Sequence, residues 1–303
     1  MKQNGKRCWS LGRVLAGCAL VSAVVVSPSA ARADEPWAPP RLKEGEHFTI
    51  DPVLDGMLIV GGFAFSELLS SIIASNELAP LPPGDPKNLL SIDRSTVTQT
   101  IDPNANGRSN LGLYAAYGYA LLDPILSGVR DGRRAFLVDA IMYAESIAIT
   151  QAFTDATKIG VRRPRPVDYA NCYPPMTPPA AGCDSTDLQL SFFSGHTSVT
   201  AAISATATYL AFVRGPHTKR PWITLAAGTL LTAFVAYERV RSGEHFPTDV
   251  IMASMAGGGI GVLVPHLHRR AHYHEKELEA PQVWIGFAPE ARGGGALTLG
   301  GKF

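Results

Sequence analysis

The chain is poor in charge. Only 17% of its 303 residues are Asp, Glu, Lys or Arg, and they nearly cancel to a formal +1. Together with 29 glycines and 23 prolines this excludes a coiled coil, and the near-neutral balance gives no reason to expect nucleic acid as a partner. Four cysteines are too few for a disulfide-built scaffold. Convincing period-two alternation is missing before residue 280, which excludes a sheet-based core for most of the chain. Uncharged runs in the last two helical segments only reach the short limit of the ~17–25 residues a membrane span needs. What is present is apolar material, 46% of residues, enough for a large core and too much for disorder. The mean hydropathy of +0.08 lies between that of a soluble enzyme and that of a transporter.

The N-terminus reads as a processing segment. Lys2, Lys6, Arg7 and Arg13 precede an apolar run over residues 14–26, followed by small residues ending in Ala31-Arg32-Ala33. This is the layout of a secretory signal over residues 1–33, cleaved before Asp34; an alternative acylates Cys18 as a lipoprotein cysteine, but the apolar run continues past it. Cleavage leaves 22 basic against 26 acidic side chains, and Cys172 and Cys183 as the remaining cysteines. Eleven positions apart in a Pro-rich loop of an exported protein, these two are expected to form one disulfide.

Residues 34–109 read as a polar arm, a first helix near 53–75 and a long Pro/Gly-rich loop over 77–108. Helical patterns follow at 110–129, 135–157, 196–213, 221–240 and 247–268, with a Pro-rich stretch at 164–183. The expectation is an all-α bundle of six helices, its catalytic part spanning 110–270. A short β-hairpin over 281–303, with Gly293-Gly294-Gly295 at its turn, is expected to pack on that bundle.

Three clusters at helix ends combine anion-binding and acid–base side chains. Lys158, Arg162, Arg163 and Arg165 leave a helix together among prolines, and cations this close repel unless an anion sits among them. A solvated basic loop is the plain alternative. Phe193-Ser194-Gly195-His196 opens the next helix and offers free N–H groups, a hydroxyl and the positive dipole end to an oxyanion. Taken alone it is an ordinary cap. The run from Glu238 to Asp249 holds Arg239, His245 and, in the first turn after Pro247, Asp249. A carboxylate four residues beyond a histidine can accept the Nδ1 proton and leave Nε2 nucleophilic, although isolated pairs of this kind are common surface caps.

In this order, Lys-x6-Arg-Pro, Ser-Gly-His and Arg-x5-His-x3-Asp resemble the signature of the type 2 phosphatidic acid phosphatase/vanadium haloperoxidase superfamily, over roughly residues 110–268. The resemblance implies a helical bundle of that type. It implies that Lys158, Arg165 and Arg239 bind phosphoryl oxygens, and that Ser194 and the Gly195 amide complete the cradle. His245 would be the nucleophile, Asp249 its orienting partner, and His196 the acid that protonates the leaving oxygen. No metal or other cofactor is required, because three cations take its place. The chain departs from the pattern at Phe193, where Pro is usual, and at Glu238, where Ser is usual. Phe193 is expected to loosen the backbone, and Glu238 to pair with a nearby arginine or repel phosphate. Vanadate-dependent halide oxidation and a non-catalytic envelope protein are the alternatives. His266, His268, His272 and His274 could bind a metal, but a polar helix end explains them better.

Charges inside the helices, such as Asp123 and Glu145, favour a soluble bundle acting on small phosphomonoesters. Against this, Arg130, Arg133, Arg134, Arg214, Lys219, Arg220, Arg269 and Arg270 all fall at helix ends away from the chemistry. That matches the positive-inside rule with the site facing the periplasm and a lipid phosphate as substrate. A cleaved signal then requires the first helix to lie flat or the whole protein to be soluble. The balance favours association with the inner membrane.

Overall fold

The structure, a computed structural model, describes residues 47–75, 78, 81–174, 183 and 185–269, and the strand backbones 282–290 and 294–302. The signal segment 1–33 and most of the arm lie outside the described residues, as do His272 and His274. Among the described residues there are six long helices: α1 (Pro52–Ala74), α3 (Ala105–Asp131), α4 (Arg133–Val161), α6 (Gly195–Arg214), α7 (Arg220–Arg241) and α8 (Pro247–Leu267).

Two seven-residue helices take the count beyond the six expected. They are α2 (Ser91–Val97) and α5 (Pro166–Cys172), both in segments read as loops. The sequence of α2 is polar and short, so nothing local announces it. It is held by Asp93, fully buried, which accepts from Thr248 Oγ1 at 2.7 Å and from Arg163 at 2.8 Å. In α5 the proline that seemed to break structure starts it, since Pro166 occupies the first helical position.

Local chemistry sets the ends of the long helices. Asp51 caps α1 by accepting from the amides of Val53 and Leu54. Helix α4 closes at Arg162, which takes a left-handed conformation (φ 51°) and donates its amide to the Lys158 carbonyl. Ser194 caps α6, and Pro247 opens α8. Successive long helices reverse direction, so the ends of α4 and α7 meet the starts of α3, α6 and α8 at one mouth of the bundle.

Helix α6 is central, packed against α3, α4, α7 and α8. Its buried face is made of small and hydroxylic residues, Thr197, Ser198, Ala201, Ala202 and Thr206 among them. Gly257 and Gly261 of α8 make the approach possible: a Cβ at either would stand 1.9 Å from the Ser198 carbonyl oxygen or 2.2 Å from that of Ala202. Large apolar side chains instead point outward, including Leu111 and Leu121 on α3, Trp222 and Leu230 on α7, and Met255 on α8. Small residues inside and large apolar ones outside is the distribution of a bundle solvated by lipid. Pro52–Ala74, the stretch Arg133–Cys172, Arg220–Arg241 and Pro247–Leu267 are long and apolar enough to cross a membrane.

The first helix runs alongside α4, joined to it by a 2.6 Å hydrogen bond from Ser66 to Asp155, and it begins beside the far end of α8, where the Thr49 amide donates to the His268 carbonyl. Charged residues inside the helices are paired there rather than exposed to water: Asp123 with Arg220 at 2.7 Å and Tyr143 at 2.9 Å, and Asp139 with Arg214. Beyond the bundle, β1 (Gln282–Glu290) and β2 (Gly294–Lys302) pair antiparallel, with Gln282 opposite Lys302. Packing of their side chains on the bundle concerns positions outside the described residues.

Candidate active site

The three sequence clusters meet at the mouth of the bundle. Arg239, in the last turn of α7, approaches His245 with its Nη2 3.4 Å from Nε2. Lys158, in the last turn of α4, brings its Nζ within 3.7 Å of where a side chain on Gly195 would begin, which places the ammonium over the start of α6. Arg165, in the loop before α5, shares the Glu244 carboxylate with Arg239 and also pairs with Asp187 at 2.7 Å. The Nε–H groups of Arg165 and Arg239 are buried and have no acceptor among the described residues. Leaving such donors unmet is costly, and an anion at the mouth would meet them.

His245 is buried, and its Nδ1 lies 2.6 Å from the Ser191 carbonyl oxygen. A carbonyl only accepts, so Nδ1 carries the hydrogen and Nε2 keeps its lone pair toward the cations. Burial, then Arg239, Arg165 and Lys158, hold this imidazole well below its usual pKa. His196, in the first turn of α6, is hydrogen-bonded through Nε2 to Asn110 Oδ1 at 2.7 Å. Burial and the same three cations depress it to about 3.

Asp249 differs from its expected place. Its carboxylate lies 4.0 Å from His245 Nδ1, beyond hydrogen-bond range, and binds the Phe246 amide at 2.8 Å, Ser191 Oγ and Arg163 instead. The reason is local: an Asp in the first turn of a helix is drawn to the free amides of its own N-terminus. It reaches the histidine through Ser191, whose hydroxyl it holds and whose carbonyl holds Nδ1. Arg163 lies over the Phe246 ring at 4.1 Å while bridging Asp249 and Asp93, and so ties α2 to α8.

Ser194 is fully buried, and its Oγ accepts from Thr197 Oγ1 at 3.0 Å, acting as a cap. Phe193 is anchored rather than loose: it is buried and packs against Phe153 and Phe192 with ring centroids 5.8 Å apart in each pair. Glu238 pairs with Arg108 at 2.7 Å. Between Arg165 and Arg239 stands Glu244, the residue before His245, whose place sequence reasoning missed. It also missed Asn106, which accepts from Arg239, and Asn110, because no spacing rule marks a residue recruited from another helix.

The expected disulfide is present, Cys172 to Cys183, with Cα atoms 5.7 Å apart. It joins the end of α5 to the segment leading to Ser191 and Ser194.

No curated protein matches the chain. One solved structure similar to it is the first transmembrane PAP2 type phosphatidylglycerolphosphate phosphatase from Bacillus subtilis. It is 18% identical, with a TM-score of 0.41, over 70% of this chain and 96% of that one. The family model of the PAP2 superfamily matches residues 139–273, a stretch that contains every cation and histidine gathered at the mouth. The likeness of this chain to the PAP2 superfamily rests on residues 139–273.

Proposed function

We propose that the protein is a membrane-embedded phosphatase that hydrolyses a phosphorylated lipid through a phosphohistidine at His245, without a catalytic metal. The observation that carries this reading is the state of His245: Nδ1 is tied to the Ser191 carbonyl, and Nε2 keeps its lone pair, facing Arg239 Nη2 at 3.4 Å. Arg165, Arg239 and Lys158 would take the nonbridging oxygens, with the Gly195 amide and the positive end of α6 completing the cradle. Nε2 would attack phosphorus in line as the bond to the leaving oxygen breaks. His196 would give that oxygen its proton, then take one from the water that cleaves the N–P bond.

The depressed His196 fits a group charged by its substrate. A phosphate dianion offsets the three cations that hold the imidazole neutral, so substrate binding raises its proton affinity. Ser191, Asp249 and Arg163 act as positioning residues, and the disulfide restrains the loop between Arg165 and Ser194. Large apolar side chains around the bundle favour a lipid phosphate over a soluble monoester, since a lipid substrate would share the solvent of the helices.

Orientation follows from charge. Arg130, Arg133, Arg134, Lys219 and Arg220 lie at the end opposite His245, which supports a site at the periplasmic face. Residue 47 starts at the basic end, so if the first helix spans, an outward site and a leader cleaved after Ala33 exclude each other. The intact mass decides: a chain beginning at Asp34 would turn the site inward.

The reaction is tested by quenching the detergent-solubilised enzyme in acid after brief exposure to labelled phosphatidate, or to a soluble phosphomonoester. Label bound to wild-type protein and to His196→Ala, but lost in His245→Ala, is expected, with release from the lipid far faster than from the monoester. Turnover that requires added Mg²⁺ would refute the mechanism, and faster release from the monoester would refute the substrate class.

A further inference from the structure

At the far end of the bundle three side chains remote in sequence converge: Asp55 of α1, Glu145 of α4 and His268 just past α8. Their ligand-type atoms all lie within 4.8 Å of one another, and Asp55 and Glu145 are buried. The His268 ring has a fixed tautomer. Its Nδ1 is 2.8 Å from the Val264 carbonyl oxygen, which can only accept, so Nδ1 carries a hydrogen. A neutral ring then turns the Nε2 lone pair toward Asp55 Oδ1 at 3.2 Å and Glu145 Oε2 at 3.5 Å. Glu145 Oε2 has no hydrogen-bond partner among the described residues and is shut off from solvent. Asp55 uses its other oxygen on the Asp51 amide at 2.9 Å.

With the ring neutral, three electron-pair donors face one another while two of the side chains are buried, an arrangement that a cation between them completes and that a proton on Nε2 would complete in its place. The spacing suits a metal. Ligands ~2.1 Å from a tetrahedral zinc ion stand about 3.4 Å apart, close to the two separations around Nε2. A histidine whose second nitrogen is held by a backbone carbonyl is also the usual way a ligand ring is oriented.

We propose that Asp55, Glu145 and His268 form a binding site for a divalent first-row metal ion, zinc being the reference case. Two carboxylates and one neutral imidazole balance its charge, which makes the buried cluster neutral. The ion would clamp the start of α1 and the end of α8 onto α4. Its place is the end of α8 away from His245, about 30 Å along a 21-residue helix, so the role is structural. The inference does not depend on the phosphatase reading.

The test uses the full chain in detergent, stripped by a chelator, desalted and reloaded with Zn²⁺. One zinc per chain is expected by elemental analysis, with a thermal midpoint several degrees above that of stripped protein. It should persist in His245→Ala and in His272→Ala/His274→Ala, and be lost in Glu145→Gln and His268→Ala. Should those two variants fail to fold, Co²⁺ added to the wild type still decides, because one equivalent should give visible d–d bands that Zn²⁺ abolishes. No stoichiometric uptake by the wild type, with a midpoint indifferent to chelator, would overturn the proposal and leave an imidazolium ion pair in its place. Zinc retained by folded Glu145→Gln and His268→Ala would overturn it equally.

Discussion

The two ends of the bundle arrange charge differently. At the mouth, Arg165 and Arg239 share Glu244, Arg165 also pairs with Asp187 and Lys158 with Asp155, while two histidines are held below their usual pKa and two buried guanidinium N–H groups lack acceptors among the described residues. At the far end Arg214 pairs with Asp139 and Arg220 with Asp123, and a further cluster has two carboxylates around one histidine. Balanced pairs hold helices together. An uncompensated set is costly to keep unless a ligand of the opposite charge completes it. The mouth therefore calls for an anion and the far cluster for a cation, with helices of similar composition supplying both.

The strongest way to break this contrast is to remove a cation from the mouth. Arg239→Ala should lower kcat/KM by ~10²–10³-fold, the scale of losing one charge stabiliser in a transition state. An effect under threefold in steady-state kinetics would remove Arg239 from the cradle.

A second prediction concerns pH. His196 has a folded pKa near 3 against 6.5 unfolded, so the unfolded chain binds the extra proton first. Its contribution to stability is therefore complete above about 6.5 and is lost progressively as pH falls toward 3. Thermal midpoints in detergent from pH 7 to pH 4 should show the fall, and His196→Gln should make it shallower. Saturating vanadate should make the fall smaller, because an anion that restores the histidine's proton affinity brings the folded pKa closer to the unfolded one, while the onset stays near 6.5.

Glu244→Gln sharpens the comparison from the other side. It frees two arginines from a competing carboxylate, so vanadate should bind roughly fivefold more tightly, the scale of ~1 kcal/mol for a partly exposed pair. Weaker binding would mean that Glu244 orders the arginines rather than competes for them. The smallest effect is expected at the far end. Replacing Asp139 and Arg214 together by Leu and Met should leave turnover within ~2-fold, because a balanced buried pair exchanges for apolar side chains at little net cost. Removing Asp139 alone should destabilise the protein, since Arg214 would then be left without its carboxylate.

The sequence by itself determined the helical class, the order of the long helices and the identity of the cations and histidines at the mouth. Each is a short-range property: apolar periodicity, a proline at a helix start, or a motif whose members sit within a dozen residues of one another. It also determined Cys172–Cys183, eleven residues apart. Only the tertiary structure decided which acceptor holds His245, because Asp249 is claimed by its own helix terminus and the Ser191 carbonyl takes the place expected for it. It paired Glu238 with Arg108 and Glu244 with two arginines, and brought Asn106 and Asn110 to the mouth. It also grouped His268 not with His266 beside it but with Asp55 and Glu145, which lie 213 and 123 positions away in the chain. Buried polar groups find partners by position in space, and in a bundle of reversing helices the neighbours in space come from distant turns of the chain.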